Sequence, residues 1–463
     1  MFRIQVNGFK KKDLIKELVD EFIPQDQYVV EDEFSEAPLD EDIIVSVNKD
    51  GKDDLDTIKR DIYRELEKCV KHAPDWGILT GVRPVKLAGE LTSASGKEEA
   101  REILRDKYLL SPGKTDLVLG IYEHQQKCFG KPSENSVSLY IGIPFCPTRC
   151  SYCAFASNQK DYSEIKRYLD ALNIELDFVS EEMKKKGLSV ESLYIGGGTP
   201  TVLTSEDLDS LMQRVSKRFD LSSVKEYTVE AGRPDTIDKE KLITIKNNGA
   251  NRISINPQSM LEKTLAEIGR LHSPDDIERA YWEAKEIGFN SINMDMIAGL
   301  PGESVNDFIY SLRRIQKMKP ENITVHSLAV KRASRLKEED PEIYMRKSHE
   351  VRKMVKLAFD NLLARDYRPY YLYRQKHMAG ACENIGYSLE DKEGLYNVRI
   401  MDEHQTNIAL GAGGISKVYY PQENRLERVA NVTNYTEYIN RIDEMLERKK
   451  EGIFNEHDCA KGN

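Results

Sequence analysis

Long apolar runs are missing from this chain. No stretch approaches the about 18 consecutive apolar residues that a bilayer-crossing helix needs, so no membrane span is expected. The first residues, Met1-Phe-Arg-Ile-Gln-Val6, read as a β-strand and have none of the character of a secretory signal. Positive charge is not in excess either. The net charge is −10, which argues against a general nucleic-acid surface but leaves room for a local basic pocket that takes a carboxylate-rich substrate. No repeat of fixed short period and no low-complexity tract is evident. Cysteine is sparse and odd in number, seven in all, and with no secretory signal that makes a disulfide framework unexpected.

What is present is a soluble globular composition, 40% hydrophobic and 32% charged, in 463 residues, a length that predicts two or three domains. Three regions can be drawn. Residues 1 to about 130 are acidic and expected to be mainly helical after the first strand, with Glu31-Asp-Glu-Phe-Ser-Glu36 and Asp40-Glu-Asp42 as solvated loop. Lys131-Pro-Ser-Glu-Asn135 reads as a linker. Residues 131–330 alternate short apolar runs with amphipathic helical patterns, the signature of βα units and a parallel sheet. Strands are predicted at Ser136–Gly142, Ser192–Gly196, Glu226–Glu230, Arg252–Asn256, Ser291–Ile297 and Asn322–Leu328. The fold class that follows is α/β, an open, three-quarter (β/α)6 barrel. In residues 331–463 the alternation stops. A helix at about Glu342–Ala364 leads into Tyr367–Arg374, Gly394–Met401 and Gln405–Leu410, a mixed α+β tail.

Three cysteines stand out: Cys146-Pro-Thr-Arg-Cys150-Ser-Tyr-Cys153, just after a predicted strand. Zinc ordinarily takes four ligands from paired C-x2-C segments, and no second pair or nearby histidine follows. Three thiolates can instead hold three irons of a [4Fe–4S] cluster and leave the fourth iron open to a substrate or cosubstrate. Cluster and free thiols together predict a reducing compartment, the cytoplasm. Cys69, Cys128, Cys382 and Cys459 are scattered and read as structural. The C-x3-C-x2-C spacing resembles that of the radical S-adenosylmethionine (SAM) superfamily.

In a parallel barrel, chemistry collects where strands end. Gly196-Gly-Gly-Thr-Pro200 follows the second strand, Glu230 ends the third, Gln258 follows the fourth and Asp295 lies in the fifth. Three glycines remove Cβ atoms and let backbone approach a ligand, though an ordinary tight turn has the same look. Glu230 suits an ammonium group or ribose hydroxyls, Arg270 offers a planar fork to a carboxylate, and Asp295 can accept from ribose. For each, a structural ion pair is the competing reading.

These residues, with Asp295-Met-Ile-Ala-Gly-Leu-Pro301, resemble the oxygen-independent coproporphyrinogen III oxidase group of radical SAM proteins from about Ser136 to Lys417. Gly77-Ile-Leu-Thr-Gly-Val-Arg-Pro84, Tyr371–Lys376, Glu383-Asn-Ile-Gly-Tyr387 and Leu410-Gly-Ala-Gly-Gly-Ile-Ser416 resemble its HemZ-type coproporphyrinogen dehydrogenase branch. The resemblance implies a barrel of the radical SAM type flanked by α+β N- and C-terminal domains. It implies a [4Fe–4S] cluster on Cys146, Cys150 and Cys153, and one or two SAM molecules. Around SAM it implies Tyr140, Tyr152, Gly197, Gly198, Thr199, Glu230, Gln258, Arg270 and Asp295, with Ala329 and Ile415 aligned more loosely. It further implies a tetrapyrrole substrate, coproporphyrinogen III or haem, and a low-potential electron donor such as flavodoxin or ferredoxin. Hydrogen abstraction from propionate side chains by a 5′-deoxyadenosyl radical would then lead to protoporphyrinogen IX.

Two positions depart from the oxidase. Its fourth Cys is Phe155 here, and the His before Ile-Pro-Phe-Cys is Gly142. The related haem chaperone shares the Phe, but its His-Asn-x-x-Tyr-Trp motif appears as Glu383-Asn-Ile-Gly-Tyr-Ser388. Three activities therefore compete: the oxidase, a haem-binding chaperone with His377 or His326 as axial ligand, and a radical methyltransferase acting on haem. Arg332, Arg335, Arg374 and Lys376 are candidate cations for substrate carboxylates, with a solvated charged face as the competing reading. Residues 1–130 are expected to cover the barrel mouth or to dock the electron donor.

Overall fold

The computed structural model describes residues 1–6, 9, 12–31, 42–47, 54–70, 73–81, 83–155, 157–331, 333–375 and 378–455. Most of the acidic N-terminal stretch, Arg332, Lys376, His377 and Cys459 lie outside the described residues. At the N-terminus, β1 (Phe2–Val6), β2 (Tyr28–Glu31) and β3 (Ile43–Val47) form a parallel sheet in the order β2-β1-β3. Helices Lys12–Val19 and Leu55–Cys69 bury Ile15, Leu18, Ile58, Ile62 and Leu66 in the same core. The described part of residues 1–130 remains mainly helical, with two strands beyond the one read from the sequence. The two added strands have four and five residues, too few for an alternating pattern to show against acidic flanks.

The central sheet begins with six parallel strands in chain order: β4 (Ser136–Ile143), β5 (Ser189–Gly197), β6 (Glu226–Glu230), β7 (Arg252–Ser254), β8 (Ser291–Ala298) and β9 (Asn322–Ser327). Most of their residues are buried, as expected for strands whose outer face is covered by crossover helices such as Tyr162–Lys186 and Val305–Met318. This is the open (β/α)6 arrangement expected from the alternation.

The chain after residue 331 does not build a separate sheet. It supplies β10 (Arg368–Tyr373), β11 (Asn384–Ser388), β12 (Asn407–Leu410), β13 (Ile415–Tyr420) and β14 (Arg425–Ala430), which extend the central sheet at both sides. The order is β10-β11-β9-β8-β7-β6-β5-β4-β12-β13-β14. Strand β11 runs antiparallel to β9, and β12 parallel to β4. The edge at β10 is covered by helix Pro112–Cys128, from which the Gln125 side-chain amide donates to the Tyr370 carbonyl at 2.7 Å. The opposite edge, β14, carries Arg425, Glu427 and Arg428, charges of the kind that discourage a further strand from pairing. The expected helix at Glu342–Ala364 is present as two pieces, Ile343–Arg346 and Ser348–Leu363.

Helix Leu395–Asp402 seals the end of the sheet away from the cysteines. Arg399 meets Glu191 with two hydrogen bonds of 3.0 and 3.2 Å, and the Leu395 amide donates to Glu226 at 2.6 Å. Just before it, the Lys392 carbonyl accepts from Arg252 (3.0 Å) and Asn322 (2.8 Å), residues that open β7 and β9.

The C-terminal helices are anchored by a buried ion pair. Lys449 Nζ lies 3.0 Å from Glu175 Oε1, and both side chains are inaccessible to solvent. The other Glu175 oxygen accepts from the Gly411 amide (2.7 Å) and the Tyr438 hydroxyl (2.6 Å). Replacing one partner of such a pair leaves a buried charge uncompensated. Lys449→Met is expected to destabilise the protein by about 3–5 kcal/mol, seen as a lower midpoint of urea or thermal unfolding; an unchanged midpoint would refute this.

Candidate active site

The cysteine loop leaves the C-terminal end of β4 and is held down by the loop after β5. The Gly198 amide donates to the Ile143 carbonyl and the Thr199 amide to the Phe145 carbonyl, each at 2.7 Å. A Cβ on Gly198 would stand 2.4 Å from the Phe145 oxygen, and one on Gly196 would stand 2.8 Å from Glu230 Oε2. Two of the three glycines therefore make room for protein groups. Gly197, with φ 113°, needs glycine for its backbone conformation.

The sulfurs have polar neighbours. Thr199 Oγ1 lies 3.5 Å from Cys146 Sγ, and Arg233 Nη1 lies 3.7 Å from Cys150 Sγ. Arg233 is 3% exposed and held by Asp235 through bonds of 3.2 and 3.0 Å. It was not foreseen from the sequence; its place three residues past Glu230 was the available signal. Burial pushes the Cys146 and Cys153 thiols up, so a metal must displace their protons to bind.

Around the barrel, Glu230 accepts from the Tyr194 hydroxyl (2.8 Å) and the Gly197 amide (3.2 Å). Burial, reinforced by the Asp295 charge, pushes its carboxyl up to about 7 against those two bonds. Asp295 goes the other way. Burial acts to raise it, but His326 at 3.6 Å and Asn293 at 2.7 Å outweigh that and hold it below the usual carboxylate range. Arg270 reaches the Gly232 carbonyl (3.1 Å), the Asn256 carbonyl (2.5 Å) and the Tyr152 hydroxyl (3.3 Å). Gln258 has a left-handed backbone, φ 64°, uncommon for a residue with a side chain, because it bridges to β8: its amide donates to the Asp295 carbonyl at 2.9 Å.

These groups surround a cavity of about 480 Å³. Every residue assigned from the sequence to the cluster or to SAM lines it except Ile415, which lies 49% exposed at the start of β13. Three buried polar atoms of lining residues have no protein partner: Asn256 Oδ1, Gln258 Oε1 and Arg270 Nε. Tyrosines form much of the wall. Tyr194 stacks on Tyr396 at 4.6 Å between ring centres, and Tyr140 stacks on both. Phe155 stands at the rim, 65% exposed, with Lys331 Nζ 5.3 Å from its ring centre.

Of the cations proposed for substrate, Arg374 lies outside this cavity. It is 4% exposed and bound to Glu21 (2.8 Å) and the Ala381 carbonyl (3.1 Å). Arg335 pairs with Glu339 on the surface.

Residues 140–315 match the profile of the Radical SAM superfamily. The chain is 40% identical over 380 residues to the oxygen-independent coproporphyrinogen-III oxidase-like protein HemZ of Bacillus subtilis, covering 81% of this chain and 76% of that one. This chain belongs to that radical SAM family. It is also 36% identical over 194 residues to the heme chaperone HemW of Bacillus subtilis, covering 42% of this chain and half of that one. Among solved structures, Escherichia coli coproporphyrinogen III oxidase (HemN), described as a radical SAM enzyme, shares the fold at a TM-score of 0.53 and 21% identity, over 69% of this chain and 72% of that one. The cofactors of a radical SAM protein are a [4Fe–4S] cluster and SAM, and the donor set fits both: three thiols on one loop, and unpartnered amide and guanidinium atoms beside them. Gly142, which departs from the oxidase pattern, has a packing reason. A Cβ there would lie 3.3 Å from the Leu410 carbonyl, where the glycine loop after β12 crosses β4.

A carboxyl whose folded pKa sits near 7 rather than 4.5 favours the folded state when protonated, so its contribution falls as pH rises from about 4.5 through 7. Glu230→Gln removes that loss. Without cofactors, its unfolding midpoint is expected to exceed that of the wild type at pH 8, with the difference shrinking toward pH 5; a pH-independent difference would contradict the assignment.

Proposed function

We propose that this protein catalyses oxidative decarboxylation of coproporphyrinogen III propionates to vinyl groups, giving protoporphyrinogen IX without oxygen. The observation that carries this reading is the meeting of three cysteines, a glycine turn, Glu230, Gln258, Arg270 and Asp295 in one tyrosine-walled cavity. In this reading Cys146, Cys150 and Cys153 hold the cluster. Gly197, Gly198, Thr199, Glu230, Gln258, Arg270 and Asp295 surround SAM, with Tyr140, Tyr152 and Ala329 beside it. The bound cofactors supply a carbon radical able to take hydrogen from an unactivated C–H bond.

The protein's own contribution is to bind, orient and exclude water. Asn256 Oδ1 and Gln258 Oε1 are acceptors for ammonium or hydroxyl protons, and Arg270 Nε is a donor for a carboxylate. The tyrosine wall offers flat apolar faces to a macrocycle and keeps water from the reacting carbon. Lys331, which lines the cavity, is the cation assigned to substrate propionates, in place of Arg374. Burial draws the Lys331 amine down.

The chaperone reading is supported by the HemW relatives and by Phe155. Against it, Glu383, at the place of the chaperone's motif histidine, is 2% exposed and accepts from Trp76 Nε1 (3.0 Å) and Lys114 Nζ (2.5 Å). His326 faces the cavity but is already engaged by Asp295 and by Tyr373 at 3.3 Å.

The test is an anaerobic incubation with reductant, SAM and coproporphyrinogen III. Protoporphyrinogen and 5′-deoxyadenosine should form together. Stoichiometric haem binding without substrate-linked SAM cleavage would favour the chaperone, and methyl transfer to added haem would favour the methyltransferase. Cys150→Ala should lose the cluster's ~400 nm absorption and all SAM cleavage, whereas the wild type assembles its cluster with Phe155 in place. A Cys150→Ala protein with normal iron content would overturn the cluster assignment.

A further inference from the structure

A second set of metal-ligating side chains lies at the sealed end of the sheet, away from the cysteine loop. His124 and Cys128 occupy one face of the last turn of helix Pro112–Cys128, at i and i+4. Glu393, from the segment before helix Leu395–Asp402, reaches them from the other side. His124 Nε2 lies 2.8 Å from Glu393 Oε1 and 3.7 Å from Cys128 Sγ. The three donor atoms all fall within 4.8 Å of one another.

We propose that His124, Cys128 and Glu393 form a zinc-class site, three protein ligands with the fourth position open to water. Tetrahedral zinc, with bonds of about 2.0–2.3 Å, spaces its donors about 3.3–3.8 Å apart. The Cys128 sulfur lies 3.7 Å from Nε2 and 3.9 Å from Nδ1, so its side chain must turn toward the Nε2 lone pair, and the nitrogen–oxygen pair must open by about half an ångström, to admit the ion. Thiolate, imidazole and carboxylate together suit zinc rather than magnesium or calcium.

The surroundings favour a cation. Among the charges acting on the Cys128 thiol are the carboxylates of Glu393, Asp391 and Glu390, opposed by Lys127. The site also stands at the negative end of a 17-residue helix. The Glu393 side chain is only 4% exposed, so one ligand is fixed by packing, while exposed Cys128 leaves a path for the ion to enter. On binding, the sulfur–hydrogen bond of Cys128 is replaced by a sulfur–zinc bond and the proton passes to solvent. The sequence alone had left Cys128 as a structural residue, because its partner Glu393 is 265 positions away.

Such an ion would tie the helix that covers the β10 edge to the segment whose Lys392 carbonyl closes the barrel on Arg252 and Asn322. The proposal stands apart from the substrate assignment and from the cluster.

The experiment uses anaerobic holoenzyme with its cluster assembled, so that Cys146, Cys150 and Cys153 are occupied. Zinc is added, excess is removed with a weak chelator, and metal is counted. One zinc per chain is expected in the wild type, with affinity lowered more than about 100-fold in Cys128→Ser and His124→Ala, beyond the loss caused by an outer partner. Cobalt in place of zinc should give a thiolate-to-cobalt charge-transfer band that Cys128→Ser lacks. Should a variant fail to fold, alkylation of Cys128 in the wild type serves instead: zinc should block it. Wild-type protein that takes up no zinc, variants that hold as much as the wild type, or a Cys128 alkylated equally with and without zinc would each overturn the site.

Discussion

Six parallel strands that do not close leave two rows of unpaired backbone groups and an interior open at both ends. The rest of the structure answers that constraint. One edge is paired by β11 and β10 and then covered by helix Pro112–Cys128; the other is paired by β12, β13 and the charged β14. One end is sealed by helix Leu395–Asp402 through Arg399, Glu191 and Glu226. Only the end where β4 to β9 deliver their last residues stays open, and there the cysteines, glycines and carboxylates meet.

The open end separates its charges by environment. Glu230 and Asp295 line the same space, yet burial pushes one carboxyl up while His326 and Asn293 hold the other down. A cavity that takes a zwitterionic, partly cationic ligand is helped by one firm anion and one adjustable acceptor, since two fixed negative charges side by side would repel before any ligand arrived. Arg233, beside Cys150, and Arg270, beside Tyr152, place positive charge near the thiol loop, where bound thiolates and sulfide would gather negative charge.

Much of this was legible in sequence because it is local. Strand alternation gave the six parallel strands, and the triplet with its flanks marked one end of the barrel. What stayed hidden depends on contacts between distant residues. Arg233 matters through a sulfur 83 positions away, and Glu191 through Arg399, 208 positions away. Of the N-terminal sheet only β1 was placed from the sequence, because β2 and β3 are short. Arg374 had the right charge for a carboxylate ligand, but folding commits it to Glu21 and to the face of Trp76. The glycine triplet was read as a ligand contact, whereas much of its demand comes from Phe145 and Glu230.

The sealing helix comes late in the chain. Strand β4 begins at Ser136, but its second neighbour, β12, and the helix that closes the barrel lie beyond Leu395. During synthesis the six-stranded core, complete at Ser327, therefore stands with its floor missing until Leu395 and its β4 edge bare until Asn407. Such high contact order slows folding and exposes strand edges to wrong pairing. The three clustered thiols sit on the loop leaving that same strand, so completion of the tail is the step that stops their scaffold from meeting other chains.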